Sequence, residues 1–282
     1  MTLMPRFGLT LAIVCALAAC SSEAPTTTSP DTAASDAASP AAPSADTPAA
    51  PAVDGATTAP TVAGGSETLV RTPGPILPPT GPAPVAGVDY VEISDGKPFQ
   101  PATGKIEVVE VFGYTCPACA NFEPLVTAWA AKLPGDVQFT PIAAPFGGYW
   151  MPFAKAYYAA QSTGLLAQSH DAVFRAIHLE RTLAPDASDA QVAEFYGRFG
   201  VDPKQFANTM ASFGVKAQMG RALQFLQRTG VESTPTLIVD GKYRITGKSW
   251  EANLGIAEHL IAAERAAMQA DAAPPAPARD EG

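Results

Sequence analysis

The chain has 282 residues, with 18 lysines and arginines against 27 acidic residues, which gives a net charge of −9. This acidic balance argues against a protein that binds the phosphate backbone of nucleic acids. Four cysteines are too few for a small domain held together by disulfides. Beyond the N-terminal segment, no apolar run reaches the ~20 residues of a membrane-spanning helix.

Residues 1–19 have the pattern of an export signal, in which Arg6 precedes an apolar run over 7–17. The small residues directly before Cys20 resemble the processing site of bacterial lipoproteins. The resemblance implies cleavage before Cys20 and palmitate-type acylation of that residue, since several acyl chains anchor a protein far better than one. Ser21, where inner-membrane retention signals usually have Asp, favours the outer membrane. The alternative is an ordinary secretory signal in which the cysteine occurs by chance.

The following segment, residues 20–85, is rich in Ala, Pro, Ser and Thr, and no aromatic residue occurs between Phe7 and Tyr90. Such a composition cannot supply a hydrophobic core, so we expect a disordered tether. A recognition segment is the alternative, although no binding motif is visible in it. Residues 271–282 are expected to form a second disordered tail. The predicted folded domain, residues 86–270, is long enough to bury one core.

The domain alternates between predicted strands and helices, which indicates an α/β fold. The Asp240-Gly241 pair predicts a tight hairpin turn. A block of about 80 helical residues separates the second core strand from the third, so we expect a central mixed sheet with an all-helical insertion at about 145–229. Strands are predicted over 106–112, 137–143, 236–239 and 243–246, and helices over 116–133, within 153–229, and over 250–268.

The clearest chemical signal is Cys116-Pro117-Ala118-Cys119, where a strand passes into a helix. Pro117 suits the first helical turn, because its missing N–H would have no partner there. The unpaired N–H groups and the positive end of the helix dipole stabilise a Cys116 thiolate, and Cys119 lies one turn deeper, where it can attack Cys116 in a mixed disulfide.

Three other interpretations of this motif are weaker. Half a zinc site would need a second ligand pair, and the histidines at 170, 178 and 259 lack ligand spacing, so no metal is predicted. We interpret these histidines as surface or packing residues. A purely structural disulfide more often joins distant segments of a chain. The third interpretation is a non-catalytic binding or assembly lipoprotein with a static disulfide.

Three features together resemble the DsbA-like disulfide oxidoreductases of the thioredoxin superfamily. They are the segment 110–119 at the end of the first core strand, the long helical block, and Val231–Thr236 before the hairpin. The resemblance implies a thioredoxin-like fold and a thiol:disulfide oxidoreductase that uses the Cys116–Cys119 disulfide and no organic cofactor. It also implies that Pro235 is a cis-proline facing the cysteines and that Thr234 leaves its backbone free to pair with an extended substrate. Glu110 is then a buried acid that exchanges protons as Cys119 changes state.

The sequence departs from the family pattern at three positions. Pro141 stands where the family usually has a lysine beside the buried acid, so the Glu110 carboxyl should be easier to protonate. Ala118 stands where the best-known member has His, and Thr234 stands where the oxidant branch commonly has Val. We therefore predict a weaker oxidant, with a Cys116 pKa above that of the His-containing relative.

By resemblance, the expected function is oxidation of exported, cysteine-containing proteins in the periplasm, followed by reoxidation by a quinone-linked, DsbB-like membrane partner. The alternative is a reductase or isomerase supplied by a membrane electron donor. Dimerising isomerases carry a folded N-terminal domain, which residues 21–85 cannot form, so the isomerase is disfavoured. We expect a monomer. The apolar run over 149–153 is open to two interpretations: part of a substrate groove, or the start of a helix packed on the core.

Overall fold

The computed structural model describes residues 73–101 and 103–272. The predicted signal peptide, the lipidation site Cys20, residues 20–72 of the predicted tether and residues 273–282 of the predicted tail lie outside the described residues. Those parts of the domain prediction remain predictions.

The centre of the fold is a five-stranded mixed sheet with the strand order β1-β5-β4-β2-β3. The central strand β2 pairs in parallel with β3 and antiparallel with β4, and β4 forms a hairpin with β5. The α1 crossover between β2 and β3 is the kind of connection that a parallel pair needs. The strands are β1 (Tyr90–Glu92), β2 (Ile106–Phe112), β3 (Val137–Ala143), β4 (Thr236–Val239) and β5 (Tyr243–Ile245).

In the described residues 73–101 and 103–272, seven α-helices surround the sheet, and five of them form the insertion between β3 and β4. A short 3₁₀ turn over Gly197–Phe199 follows α4. The helices are α1 (Pro117–Ala130), α2 (Trp150–Ser162), α3 (Leu166–His178), α4 (Asp189–Tyr196), α5 (Pro203–Met210), α6 (Phe213–Thr229) and α7 (Trp250–Ala272).

All seven residues of β2 are buried, because the sheet is covered on both faces. Val109 and Val111 face the helical insertion and join its core, whereas Ile106 and Val108 face α1 and α7 on the other side. Because successive side chains alternate between the two faces, the C-terminal end of β2 and the turn after it lie between the helical insertion on one face and α1 and α7 on the other.

The predicted α/β fold with a helical insertion is confirmed, and three strands have the predicted bounds. The return strand ends one residue early, at Ile245, and the short strand β1 was missed. The helical block contains two more breaks than predicted, near Gly164 and Ser212. Gly164 has a positive φ of 74°, and the Ser212 side chain accepts a hydrogen bond from the Val215 N–H as an N-cap.

Residues 73–85, which the sequence assigns to the tether, contact the domain instead of leaving it. The Gly74 N–H donates to the Leu133 carbonyl at 3.1 Å, just beyond the end of α1. A Cβ at Gly74 would lie 1.9 Å from the Lys132 carbonyl oxygen, so this close approach requires glycine. At the other end, α7 continues to Ala272, beyond the predicted last helical residue. Both differences lengthen the ordered domain.

Within the described part of the chain, no helix combines the length and apolar character needed to cross a membrane.

Candidate redox site

Cys116 is the N-cap residue of α1, with extended backbone dihedrals (φ −87°, ψ 114°). Its Sγ accepts a hydrogen bond from the Cys119 N–H at 3.2 Å, and Pro117 occupies the first helical position, as predicted. Cys116 is 8% exposed and Cys119 is fully buried. Both are free thiols in this structure, which therefore shows the reduced form of the pair.

The two thiols have opposite electrostatic environments. Hydrogen bonding from Cys119 lowers the pKa of Cys116 to about 6, against the opposing effect of burial. Burial raises the pKa of Cys119 far above its usual range, and the hydrogen bond to Cys116 adds to this. At neutral pH Cys116 is a thiolate, the form that reacts with disulfides, while Cys119 keeps its proton.

The loop before β4 faces the cysteines from the opposite side. The Thr234–Pro235 peptide bond is cis, as the family resemblance implies. Cys116 Sγ lies 3.5 Å from the Thr234 carbonyl oxygen, which accepts a hydrogen bond from Cys116 when the thiol is protonated. The structure thus brings Thr234, beside Pro235, to the cysteine pair, although more than 110 residues separate the two pairs in the chain.

Glu110 lies in the middle of β2 and is 1% exposed. Its Oε1 atom has no hydrogen-bond partner among the described residues. Burial raises the pKa of the Glu110 carboxyl well above its ordinary value, and the charges of Glu123 and Cys116 raise it further. In the sheet register, Glu110 lies opposite Pro141, which offers no cation to the carboxyl. The site therefore holds a buried acid whose neutral form is favoured by its surroundings.

Glu123 and His170 were missed as site residues by the sequence analysis. The Glu123 carboxylate accepts a hydrogen bond from Thr127 Oγ1 at 2.6 Å, and its Oε2 lies 3.4 Å from His170 Nε2. Burial alone would raise the pKa of Glu123, but the hydrogen bond and charge of His170 outweigh it, and the pKa is lowered. The only local signal was the position of Glu123, four residues after Cys119 and hence on the same face of α1.

His170 and His178 are packing residues, as interpreted, since both rings pack against Phe174, but each also contacts Tyr114 through a ring nitrogen. His170 Nδ1 lies 2.8 Å from the Tyr114 hydroxyl, and His178 Nε2 donates to the Tyr114 carbonyl at 2.7 Å. Both histidines therefore hold the turn that leads to Cys116. His259 lies on α7, where its Nε2 is 3.3 Å from the Thr80 carbonyl oxygen.

The apolar run over 149–153 starts α2, as one of its two interpretations predicts, and the substrate-groove interpretation stays a prediction. Phe153 is buried in the core, whereas Tyr149 is 54% exposed. The Trp150 ring lies directly over Gly113, where a Cβ would be 1.9 Å from Trp150 Cζ3, and it also contacts the half-exposed Phe146 ring at 5.3 Å. An exposed aromatic surface therefore begins beside the turn that carries Cys116.

No group of three or more His, Cys, Asp or Glu side chains in residues 73–101 and 103–272 is arranged to hold a metal ion.

Comparison with known proteins agrees with this geometry. The thioredoxin family matches residues 102–257. The thiol:disulfide interchange protein DsbA of Pseudomonas aeruginosa is 41% identical over 188 residues, which are 65% of this chain and 87% of the relative. The Azotobacter vinelandii DsbA is 38% identical over 186 residues, or 64% and 85% of the two chains. The crystal structure of the Xylella fastidiosa oxidoreductase DsbA, 44% identical, superposes with a TM-score of 0.63 over 65% of this chain and 98% of that one.

The fold and the paired cysteines define a thioredoxin-like thiol:disulfide oxidoreductase. Within that class, the chain belongs to the DsbA family.

Proposed function

We propose that the protein oxidises pairs of thiols in exported proteins, with Cys116 and Cys119 as its redox-active pair. A substrate thiolate attacks Cys116 Sγ of the oxidised pair, breaks the Cys116–Cys119 bond and releases Cys119 as the leaving thiolate. A second substrate thiolate then attacks the substrate sulfur of the mixed disulfide and releases Cys116. Two electrons pass from the substrate to the cysteine pair, and the substrate gains one disulfide.

The observation that carries this proposal is the contrast between the two thiols. Cys116 is stabilised as a thiolate by the Cys119 N–H at 3.2 Å, which makes it the better leaving group in the second step. Cys119 is buried and favours its protonated form, so it is expelled only when a proton can be supplied. The reduced pair is therefore stabilised relative to the mixed disulfide, and the exchange is driven toward substrate oxidation.

Glu110 is the proposed source of that proton. Its carboxyl is buried, which raises its pKa, and it is close enough for the Glu123 and Cys116 charges to raise that pKa further. When the disulfide opens, a neutral Glu110 can protonate the Cys119 thiolate. It recovers the proton when the pair is reoxidised.

The loop containing Thr234 and Pro235 is the proposed substrate-binding element. The Thr234 carbonyl lies 3.5 Å from Cys116 Sγ, so an extended substrate paired with this backbone would place its own cysteine beside Cys116. Main-chain pairing reads little of the substrate sequence, which suits a protein that acts on many partners.

We further propose that the protein works in the periplasm as a lipid-anchored monomer, attached through Cys20 and favouring the outer membrane. The signal-like residues 1–19 and the small residues before Cys20 support this. A quinone-linked, DsbB-like membrane oxidase would reoxidise the cysteine pair. No organic cofactor, metal or nucleic acid has a part in the proposed reaction.

Trapping of mixed disulfides tests this function. Cys119→Ala cannot resolve a mixed disulfide, so it should accumulate exported proteins linked through Cys116. The matched control Cys116→Ala keeps Cys119, which is fully buried, and should accumulate far fewer. Equal trapping by both variants, or trapping by neither, would overturn the proposal and favour a binding lipoprotein with a static disulfide.

The direction of electron flow needs a separate measurement, because a reductase would use the same atoms. Ala118 and Thr234 are the two departures that favour the reductase and isomerase branches. Equilibration with glutathione gives the reduction potential of the pair. A value near the strong-oxidant end of the superfamily supports the oxidase, and a value near that of thioredoxin supports the reductase.

A further inference from the structure

Two carboxyl groups and a histidine from different parts of the chain line one cavity beneath the redox site. Glu110 comes from β2, Glu123 from α1 and His170 from α3, and the cavity of about 520 Å³ opens to solvent. Pro141, opposite Glu110 in the sheet, lines the same space. The proposed proton donor therefore shares a solvent-connected cavity with a second acid and a base.

The two carboxyls differ in their hydrogen bonds. Glu110 Oε1 is buried without a partner in the part of the chain that the structure describes. Glu123 has a polar partner at each oxygen: Thr127 Oγ1 at 2.6 Å from Oε1, and His170 Nε2 at 3.4 Å from Oε2. A carboxylate that accepts hydrogen bonds and faces an imidazole is stabilised in its charged form, whereas a buried carboxyl without partners is stabilised in its neutral form.

His170 is itself held in place. The Tyr114 hydroxyl lies 2.8 Å from Nδ1, and the imidazole packs edge-on against Phe112 and Phe174, with ring centroids 5.0 Å and 5.4 Å away. Because Nδ1 faces the Tyr114 hydroxyl, Nε2 is the ring nitrogen that faces Glu123. Tyr114, in the turn before Cys116, thus holds one side of the imidazole, and the other side faces Glu123 on α1.

We propose that His170 is a positioning residue that fixes Glu123 as the ionised carboxylate of the pair, and that the Glu123 charge in turn keeps Glu110 protonated. This rests on the proposed function, because it assigns Glu110 as the proton donor. Two neighbouring carboxyls whose environments favour opposite charge states are a recurrent way of separating an acid from a stabilising anion. Here the histidine decides which carboxyl takes which role.

The other titratable groups around the three residues are compatible with this assignment. Tyr114, Tyr157 and Tyr196 are buried, and burial raises their pKa values, so they stay neutral. Lys105 is exposed and lines the cavity, so solvent screens its charge. Cys116 carries the remaining negative charge near Glu110. On the other side of Glu123, a second cavity is lined by Asp171, Arg175 and His178 of α3.

The test is a titration of both carboxyls by NMR in the full-length reduced protein, with ¹³C at the glutamate side-chain carboxyls. The Glu110 and Glu123 signals are assigned with Glu110→Gln and Glu123→Gln. In the unaltered protein, Glu123 should titrate below the ordinary range of a glutamate and Glu110 above it.

Titrations of the variants then show whether His170 sets the charge state of Glu123 or only packs in the core. His170→Leu should shift the Glu123 midpoint upward, and His170→Gln, which keeps an N–H donor without the charge, should give a smaller shift. Glu123→Gln should shift the Glu110 midpoint downward, because a like charge is removed. His259→Leu is the control: it removes the α7 histidine whose ring nitrogen contacts the Thr80 carbonyl, and it should change neither midpoint.

The proposal is overturned if the Glu123 midpoint is unchanged in both His170 variants, or if Glu123→Gln leaves the Glu110 midpoint in place. If His170→Leu does not fold, the His170→Gln and Glu123→Gln titrations still decide the question.

Mixed-disulfide trapping by Cys119→Ala distinguishes failure of this proposal from failure of the proposed function. Normal trapping with unchanged carboxyl midpoints refutes only the role of His170. Absent trapping refutes the proposed function.

Discussion

Glu110 lies directly opposite Pro141 across the parallel pair of β2 and β3. A proline at this position has no charge to offer, and its carbonyl is already occupied by the Tyr157 hydroxyl at 2.7 Å. The buried carboxyl is therefore left without a cation from β3, and its pKa is raised well above the ordinary value by burial first and by neighbouring negative charge second.

Glu110→Gln should therefore stabilise the fold increasingly as pH rises. A raised pKa in the folded state makes stability highest below the unfolded pKa of about 4.3, and this contribution is lost as pH rises toward the folded value. The variant removes that loss, so its advantage over the parent should be near zero at pH 4 and clear at pH 8. Urea unfolding of the oxidised proteins measures this without interference from the thiols. The exposed Glu194→Gln is the control, and an equal difference at both pH values for Glu110→Gln would contradict the assignment.

The stability of the reduced protein relative to the oxidised protein should also depend on pH. The folded pKa of Cys116 is depressed to about 6, so this stabilisation is full above the unfolded thiol pKa and is lost as pH falls through about 6. Between pH 6 and pH 8 the difference in unfolding free energy between the two forms should grow by at most about 1.4 kcal/mol per pH unit. Parallel urea titrations of both forms check the slope. A flat difference across this range would contradict a thiolate at Cys116.

Gly113→Ala should destabilise the protein and displace the turn before Cys116. A Cβ at this position would collide with the Trp150 ring, and overpacking of this kind costs about 1–3 kcal/mol. The Gly113 carbonyl also accepts the Cys116 N–H at 3.0 Å, so a shifted turn should slow thiol exchange. Thermal unfolding measures the loss of stability, and the fluorescence of Trp150 reports the displaced turn.

The matched control is Gly220→Ala in α6, where nothing lies within 4 Å of a new Cβ. That change should stabilise the helix by about 0.5–1 kcal/mol. Destabilisation by both substitutions, or by neither, would refute the packing argument.

Ala118→His should make the pair more oxidising. A protonated imidazole between the two cysteines would stabilise the Cys116 thiolate, which lowers its pKa and raises the reduction potential by about 30 mV for each pKa unit. Equilibration with glutathione measures the potential, and Ala118→Gln serves as an uncharged control. A potential that is the same in the parent and in both variants would show that position 118 does not tune this site.

The sequence predicted the parts of the fold that are local and strongly patterned. The β-branched run over 106–112 and the Asp240-Gly241 turn fix their strands through side-chain alternation and turn chemistry, and the predicted bounds of β2 were correct. The strand Tyr90–Glu92 was missed because three residues carry no periodicity, and it pairs with β5 only in the folded chain. The contact of Gly74 with Leu133 is equally non-local, and the Pro-rich composition around it concealed it.

The residues of the candidate site were likewise predictable only where the signal is local in the sequence. Cys116, Pro117 and Cys119 lie within four residues of one another, so the position of the helix start was sufficient to indicate their chemistry. Pro235 required the family resemblance. The Glu123–His170 pair is separated by 47 positions and depends on how α3 packs against α1, which no spacing in the sequence reveals.

The most direct test of the account is the ionisation of Cys116, followed by thiolate absorbance in the reduced full-length protein with Cys116→Ala as the control. We predict a transition with a midpoint at about pH 6 that is absent from the control. A midpoint near 8.5, the ordinary value for a cysteine thiol, would contradict the claim that the start of α1 activates this residue.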